Sequence, residues 1–322
     1  MKKKLKFVIV SFRQICGGPI VLHALCKYLS ELGYDARIFY SEEYVYKKGR
    51  KLKFWFNWAK RTAVDTCKII LVKFFKNRIN VNSKRFSGYY YKAVSGCKRK
   101  LLPFVDKNTV VVYPEVTYGN FLKAKNVVRW LLYYNRFYDQ NNPDSYESND
   151  LFFCYREVFN DTSLNPEGNK LKTPYFDLEL YKQYNFGERD GKCYIVRKGK
   201  DRSDLPEIFD GTVIDELTEK EIVDVFNKCE YCISYDTQTA YSYIAALCGC
   251  TSIVIPEPGK CKEDYIGSDD DTLGVAWGYD EKEIAFAKQT QPQLIERYIE
   301  INKSGKRSAK EFAEYCESHF KI

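Results

Sequence analysis

The stretch from Lys6 to Tyr40 constrains this chain more than any other. An apolar run, Phe7–Phe12, has the length and composition of a buried strand. Ile15-Cys16-Gly17-Gly18 then reads as a tight turn, and Pro19 stands where the first position of a helix tolerates it. The spacing predicts a helix over Ile20–Leu32, stopped at Gly33 by the usual glycine past a helix end. Ala36–Tyr40 is a second strand. Strand, glycine turn, helix and strand together make a βαβ unit, which commits this part of the chain to a parallel α/β sheet. No G-x-G-x-x-G follows the first strand, so the turn gives no support for a dinucleotide cofactor.

The same alternation recurs further on. Thr109–Tyr113 and Val127–Tyr133 read as strands, with a turn from Pro114-Glu115 to Gly119 and a short helix at Asn120–Ala124 between them. A second block starts with strand Cys193–Val196, which ends in Arg197-Lys198-Gly199. Thr212–Ile214 follows, then a helix to Cys229 opened by the Thr218/Glu221 capping box. Strand Tyr231–Tyr235, a helix ending near Leu247 and strand Ser252–Pro256 complete the block. Helical segments at Gln293–Asn302 and Ser308–Phe320 close the chain. With 322 residues there is room for two domains, each with its own core. We expect an N-terminal domain over 1–160 with an insert at about 45–102, a C-terminal domain over 161–305, and a terminal helix over 306–322 packing back on the first domain. Two open α/β domains with a cleft between them is the simplest arrangement.

Composition excludes several classes. A hydrophobic content of 45% with 29% charged residues fits neither a disordered chain nor a membrane-embedded one. The start, MKKKLKFVIVSF, is basic, but its apolar run ends at Phe12 before Arg13, too short for a secretory leader; a cytoplasmic protein is expected. The 12 cysteines are scattered through apolar elements, the pattern of buried thiols. Cys229-x-x-Cys232 with Cys248-x-Cys250 imitates a zinc site, but its members fall in and around regular elements rather than on knuckle turns, so no metal is expected. Ser268-Asp-Asp-Asp271 reads as a hydrated loop rather than a metal-binding DxD pair. His23 falls within the first helix and reads as a satisfied core histidine.

Charge is unevenly spread. Residues 47–100 carry 17 Lys or Arg and the single acid Asp65, so the rest of a chain of net charge +8 is net −8. Phe54, Trp55, Phe56, Trp58, Phe74 and Phe75 are interleaved with these cations, the pattern of an interfacial helix at an anionic membrane. A solvated basic face and a nucleic-acid site are the other readings of the segment, and no RNA-recognition motif accompanies it.

Ligands of open parallel sheets bind beyond the carboxyl ends of the strands. Four junctions therefore matter: Arg13–Gly18 with Gly17 and Gly18, Tyr113–Asn120 with Glu115, Tyr118 and Asn120, Arg197–Lys200, and Tyr235–Ser242. The last clusters Tyr235, Asp236, Thr237, Thr239 and Ser242 at a helix start, more polar groups than one N-cap needs. Arg197 and Lys198 facing that helix start would suit a diphosphate, and a solvated basic turn is the plain alternative. Glu115 is the candidate general base, with helix capping as its plain alternative.

CYIVRKG, ISYDTQTAYSYIAALCGC and GVAWGYD resemble the C-terminal domain of bacterial glycosyltransferases from capsule and lipopolysaccharide gene clusters. ICGGPIVLHALCKYLSELGYDARIFY is similar to the first βαβ unit of GT-B glycosyltransferases, and VVVYPEVTYGNFLKAKNVVRWLL to the middle of the same domain. The resemblance implies two Rossmann-like domains facing each other across a cleft. It implies a nucleotide-diphosphate sugar on the C-terminal domain near Arg197, Lys198, Gly199 and Thr237, and a glycan acceptor, often lipid-linked, approaching from the N-terminal one. It also implies no required metal. Many retaining members carry two glutamates eight positions apart; here those positions hold Asp236 and Ile244, so the ribose-gripping carboxylate is absent. A catalytically silent sugar-nucleotide-binding or scaffold protein, and a basic nucleic-acid binder, are the readings from other classes.

Overall fold

A computed structural model describes residues 5–13, 17–41, 51–75, 94, 96–117, 119–135, 146–266 and 272–321. The chain divides into two compact units, residues 1–175 with 301–322 and residues 176–300. The boundary thus falls at Tyr175/Phe176 rather than at 160/161. Residues beyond 160 stay with the first unit because Leu171 is buried in its core and accepts the indole N–H of Trp130 at 3.0 Å.

The first unit holds a six-stranded sheet: β1 (Lys6–Ser11), β2 (Asp35–Tyr40), β3 (Lys98–Arg99), β4 (Thr109–Pro114), β5 (Asn126–Leu131) and β6 (Leu151–Cys154). The order is β3-β2-β1-β4-β5-β6 and every pairing is parallel. That is the doubly wound order, built outwards in both directions from β1 and β4. Alternate residues of β1 reach opposite faces. Phe7 and Ile9 join a core with Leu22, Leu25 and Leu29 of α1 (Gly17–Glu31), whereas Val8 and Val10 join Phe54 and Trp58 of α2 (Lys51–Phe75).

The basic insert is therefore a structural layer. Trp58 stacks on Phe39 of β2 with centroids 5.4 Å apart, Phe54 meets Phe121 at 5.1 Å, and Trp55 is partly buried beside them. These three aromatics cover the sheet and do not face outwards as an interfacial helix would require. The lone acid, Asp65, is on the same buried face. Its Oδ2 accepts from Arg13 Nε at 2.8 Å and from Arg99 Nη2 at 2.9 Å, and both guanidiniums lie over the Tyr40 ring, at 5.3 and 5.2 Å.

The second unit holds a five-stranded parallel sheet in the order β11-β10-β9-β7-β8. Its strands are β7 (Lys192–Ile195), β8 (Thr212–Val213), β9 (Tyr231–Ser234), β10 (Thr251–Val254) and β11 (Val275–Trp277). Helix α3 (Glu219–Lys228) starts with the expected Thr218/Glu221 capping box, and α4 (Tyr241–Leu247) follows β9. Cys193, Cys229, Cys232, Cys248 and Cys250 are buried in the core between this sheet and α3 and α4, beside Ile222 and Phe226.

The two helical segments expected at the end are one helix, α5 (Glu281–Phe320), with Pro292 inside it. Its residues to Glu300 belong to the second unit and those from Ile301 to the first. In the first unit Phe312 meets Phe7 at 5.7 Å and Phe153 at 5.0 Å. Gly305 lies within the helix, where a Cβ would meet Pro174 O at 2.6 Å, so the glycine permits a close backbone approach. The short helix expected at Asn120–Ala124 is instead a turn, closed by the Asn120 side chain, which accepts from Ala124 N at 2.9 Å and donates to Ala124 O at 2.7 Å.

Asp65→Ala strands two partly buried guanidiniums, so urea unfolding is expected to show a loss of about 3 kcal/mol. Glu157→Ala, which removes an exposed pair with Lys170, leaves the midpoint unmoved.

Candidate functional site

Each sheet has a point where successive connections leave in opposite directions, and ligands of open parallel sheets bind there, beyond the carboxyl ends of the strands. In the second unit this point lies between β7 and β9. Arg197-Lys198-Gly199 leaves β7 as one 3-10 turn, and Tyr235 follows β9. The turn lies directly on the Tyr235 backbone: a Cβ on Gly199 would sit 2.3 Å from Tyr235 O. Only glycine allows that approach.

Arg197 itself is held with φ of 37°, left-handed and unusual for a residue with a side chain. The Asp215 carboxylate after β8 explains how it is kept there, accepting from Val196 N at 3.2 Å and Arg197 N at 2.6 Å. The Arg197 guanidinium lies over the Tyr241 ring, 4.0 Å from its centroid, and its Nε has no hydrogen-bond partner. Tyr241 in turn donates its hydroxyl to Glu219, which also accepts from Tyr181 at 2.7 Å. Burial and that carboxylate push the Tyr241 hydroxyl up to about 12, so it stays a donor at neutral pH. Lys198 is exposed. A cation on a strained backbone, stacked and anchored through a carboxylate–tyrosine network, is thus preset at the switch point, with the exposed Lys198 beside it.

The five polar residues after β9 divide by role. Asp236 is buried and its Oδ1 accepts from Gln238 N at 3.0 Å, closing an Asx turn. Thr239 Oγ1 accepts from Tyr241 N at 3.3 Å, while Thr237 is half-buried. Tyr235 is buried, and its carbonyl accepts from Arg202. Ser242 is buried with its hydroxyl unpartnered. The helix therefore starts at Tyr241 after an Ala240 N-cap, and not near Thr237, because Asp236 and Thr239 hold the intervening residues in turns. At seven residues α4 is too short for its dipole to anchor an anion.

Sequence reasoning missed Arg202. Its guanidinium pairs with Asp204 and donates to Tyr235 O at 3.1 Å, Ile255 O at 2.7 Å and Pro256 O at 2.7 Å, tying together the carboxyl ends of β9 and β10. Arg202-x-Asp204 shortly after β7 was the available signal. Asp215 and Glu219 were missed too, since each acts through the fold on residues at least 18 positions away.

In the first unit the switch point lies between β1 and β4. Glu115 follows β4 there, only 5% exposed, and its Oε2 accepts from Leu132 N at 3.0 Å. Burial pushes its carboxyl up to about 7, with the Leu132 and Glu115 N–H groups opposing that rise. Gly18, in the first turn of α1, faces the same place: a Cβ on it would contact Leu132 Cδ1 at 3.7 Å, and one on Gly17 would meet nothing within 4 Å. The structure thus brings Glu115 and Gly18 together around Leu132.

It does not bring the other expected acceptor-side residues there as binding groups. Arg13 is taken up by Asp65, and both ends of the Asn120 amide build the turn to Ala124. Tyr118 lies outside the described residues, as does the Ser268–Asp271 segment. Arg129 was missed. It is fully buried between the rings of Tyr113 and Tyr146, pairs with Asp150 at 2.6 Å, and donates to Thr117 O and Gly119 O, shaping the loop after Glu115. His23 is buried between Pro19 O at 2.6 Å and Tyr40 Oη at 2.8 Å, and burial lowers it to about 4, so it is neutral at pH 7. Among the described residues no three His, Cys, Asp or Glu are placed to hold a metal ion.

No protein-family model matches the chain, and no curated protein sequence matches it significantly.

Glu115 also makes a pH prediction. Between pH 4.5 and about 7 the folded protein holds a proton that the unfolded chain has lost, so stability falls with rising pH and stays reduced above that window. The stability advantage of Glu115→Gln over the parent is expected to grow by up to about 3 kcal/mol between about pH 4 and about pH 8, read by urea unfolding. A gap that does not change with pH would show that the carboxyl titrates normally.

Proposed function

We propose that the protein is a glycosyltransferase of the GT-B kind, its two units being the lobes that carry donor and acceptor. In this reading the second unit binds a nucleotide-diphosphate sugar, and the first receives the hydroxyl of a surface-glycan acceptor, capsule or lipopolysaccharide in type and lipid-linked. The observation that carries the reading is the convergence of Arg197 and the Tyr235–Ser242 junction, some forty residues apart in sequence, at one switch point. Transfer breaks the bond between the sugar's anomeric carbon and the diphosphate, and charge develops on the departing phosphate oxygen. Arg197, fixed by Asp215 and Tyr241, and Lys198 would meet that charge with charge-assisted hydrogen bonds. No step is assigned to a metal or cofactor.

Glu115 supports the acceptor half. A carboxyl titrating near 7 is matched to taking a proton from a hydroxyl at neutral pH, and its Oε2 is held by the Leu132 N–H rather than by a cation that would suppress its basicity. Among the described residues no helix is long and apolar enough to cross a membrane. A peripheral position at the inner face of the cell membrane is part of the proposal.

Two experiments test it. Arg197→Ala with Lys198→Ala is expected to weaken nucleoside-diphosphate binding by about 100-fold in calorimetry, each lost charged contact being worth roughly 1.5 kcal/mol or more. Unchanged affinity removes the diphosphate site. Glu115→Gln is expected to leave nucleotide affinity intact and to cut turnover by about 100-fold or more, while the parent's rate rises through pH 7 as the carboxylate forms. A Gln variant with full turnover rules Glu115 out as the base.

A further inference from the structure

Helix α2 has two apolar faces. One is used, by Phe54, Trp58 and Asp65 against the sheet. The other runs through Leu52, Phe56, Ala59, Ala63, Cys67, Ile70 and Phe74. Steps of three and four residues keep these positions on one line at 3.6 residues per turn, on the side opposite Phe54, Trp58 and Asp65. Every member is exposed: Leu52 by 88%, Phe56 by 69%, Ile70 by 49% and Phe74 by 74%. The line is about 33 Å long.

From this geometry we infer that the Leu52–Phe74 stripe of α2 lies in the surface of an anionic lipid bilayer, with its phenylalanines among the acyl chains and its lysines at the headgroups. The inference deepens the acceptor side of the glycosyltransferase reading, and rests on that reading only for the purpose a bilayer would serve. The occupant follows from charge. Helix α2 carries Lys51, Lys53, Lys60, Arg61, Lys68 and Lys73 against the one acid Asp65, and that acid is spent on Arg13 and Arg99 at the buried face. Lys53 and Lys60 run along the edge of the stripe, and both are exposed. A second copy of the same helix would bring cation against cation across the contact, whereas an anionic bilayer accepts both the apolar line and its cationic border. The faces are separable because the residues that hold α2 to the protein are not those of the stripe.

The test uses the full chain with sedimented vesicles of phosphatidylcholine alone or mixed with phosphatidylglycerol. The parent is expected to partition onto the mixed vesicles and little onto the neutral ones. Phe56→Ser with Phe74→Ser should reduce partitioning by about tenfold per phenylalanine. Lys53→Gln with Lys60→Gln should weaken binding to the mixed vesicles and flatten its salt dependence. Both variants keep the parent's unfolding midpoint, since all four side chains are exposed. The inference is overturned if the parent ignores mixed vesicles, or if the phenylalanine variant binds them as well as the parent. It is equally overturned if ultracentrifugation shows a parent dimer that the phenylalanine variant abolishes, or if a DNA duplex, and not the vesicle, is what the parent binds. Nucleoside-diphosphate affinity is read on the same proteins. A chain that binds vesicles but no nucleotide keeps this inference and loses the donor reading, and the converse result does the opposite.

Discussion

Parallel pairing is the constraint on which the rest of this structure depends. Every pairing in both sheets is parallel, so within each sheet all strands deliver their carboxyl ends to one edge. Parallel strands also need cover on both faces, and the near-continuous apolar runs of β1 and β4 reflect that. In the first unit α1 and the end of α5 cover one face and the basic helix α2 the other. The insert is thus required by the sheet it interrupts in sequence. Once the order around β1 and β7 is set, Glu115 and Arg197 each emerge at the switch point of their sheet.

Buried charge is handled in contrasting ways. Asp65 is matched by two guanidiniums, and Arg129 by Asp150, two carbonyls and two aromatic faces. Such groups hold geometry, although Asp65 Oδ1 and Arg129 Nη2 are themselves left without a hydrogen-bond partner. Glu115 is met by backbone N–H groups, and burial outweighs them, so its proton is held loosely enough to exchange near neutrality. Arg197 is fixed through its backbone and its stacking partner, which leaves guanidinium nitrogen atoms to be used. Glu115 and Arg197 are the members of this set that stand at the switch points.

Local chemistry was legible wherever a short-range signal sufficed. The βαβ start, the Thr218/Glu221 capping box and the strands flanking Glu115 and Arg197 could be read from apolar runs, turn residues and caps. The segments expected at Gln293–Asn302 and Ser308–Phe320 are parts of the single helix α5, which contains Pro292 and Gly305. The apolar period from Tyr241 matches the start of α4, whereas the resemblance implied a helix from near Thr237; Asp236 and Thr239 fold the chain into turns first. The aromatics of the insert could be counted but not divided between a buried and an exposed face.

The sequence by itself determined that the chain builds parallel α/β units, that its cations are gathered in one segment, and that polar residues stand at particular strand ends. Periodicity, charge and turn chemistry act within a few residues, so they are visible in a string. Tertiary structure alone decided that Arg13 serves Asp65, that Arg202 ties two strand ends together, that Arg129 shapes the loop beyond Glu115, and that Phe54 and Trp58 turn inwards while Phe56 and Phe74 turn out. Those outcomes depend on partners between 10 and more than 50 positions away, and on which groups lose water when the sheets are covered. Desolvation is a property of the packed molecule, and no spacing along the chain records it.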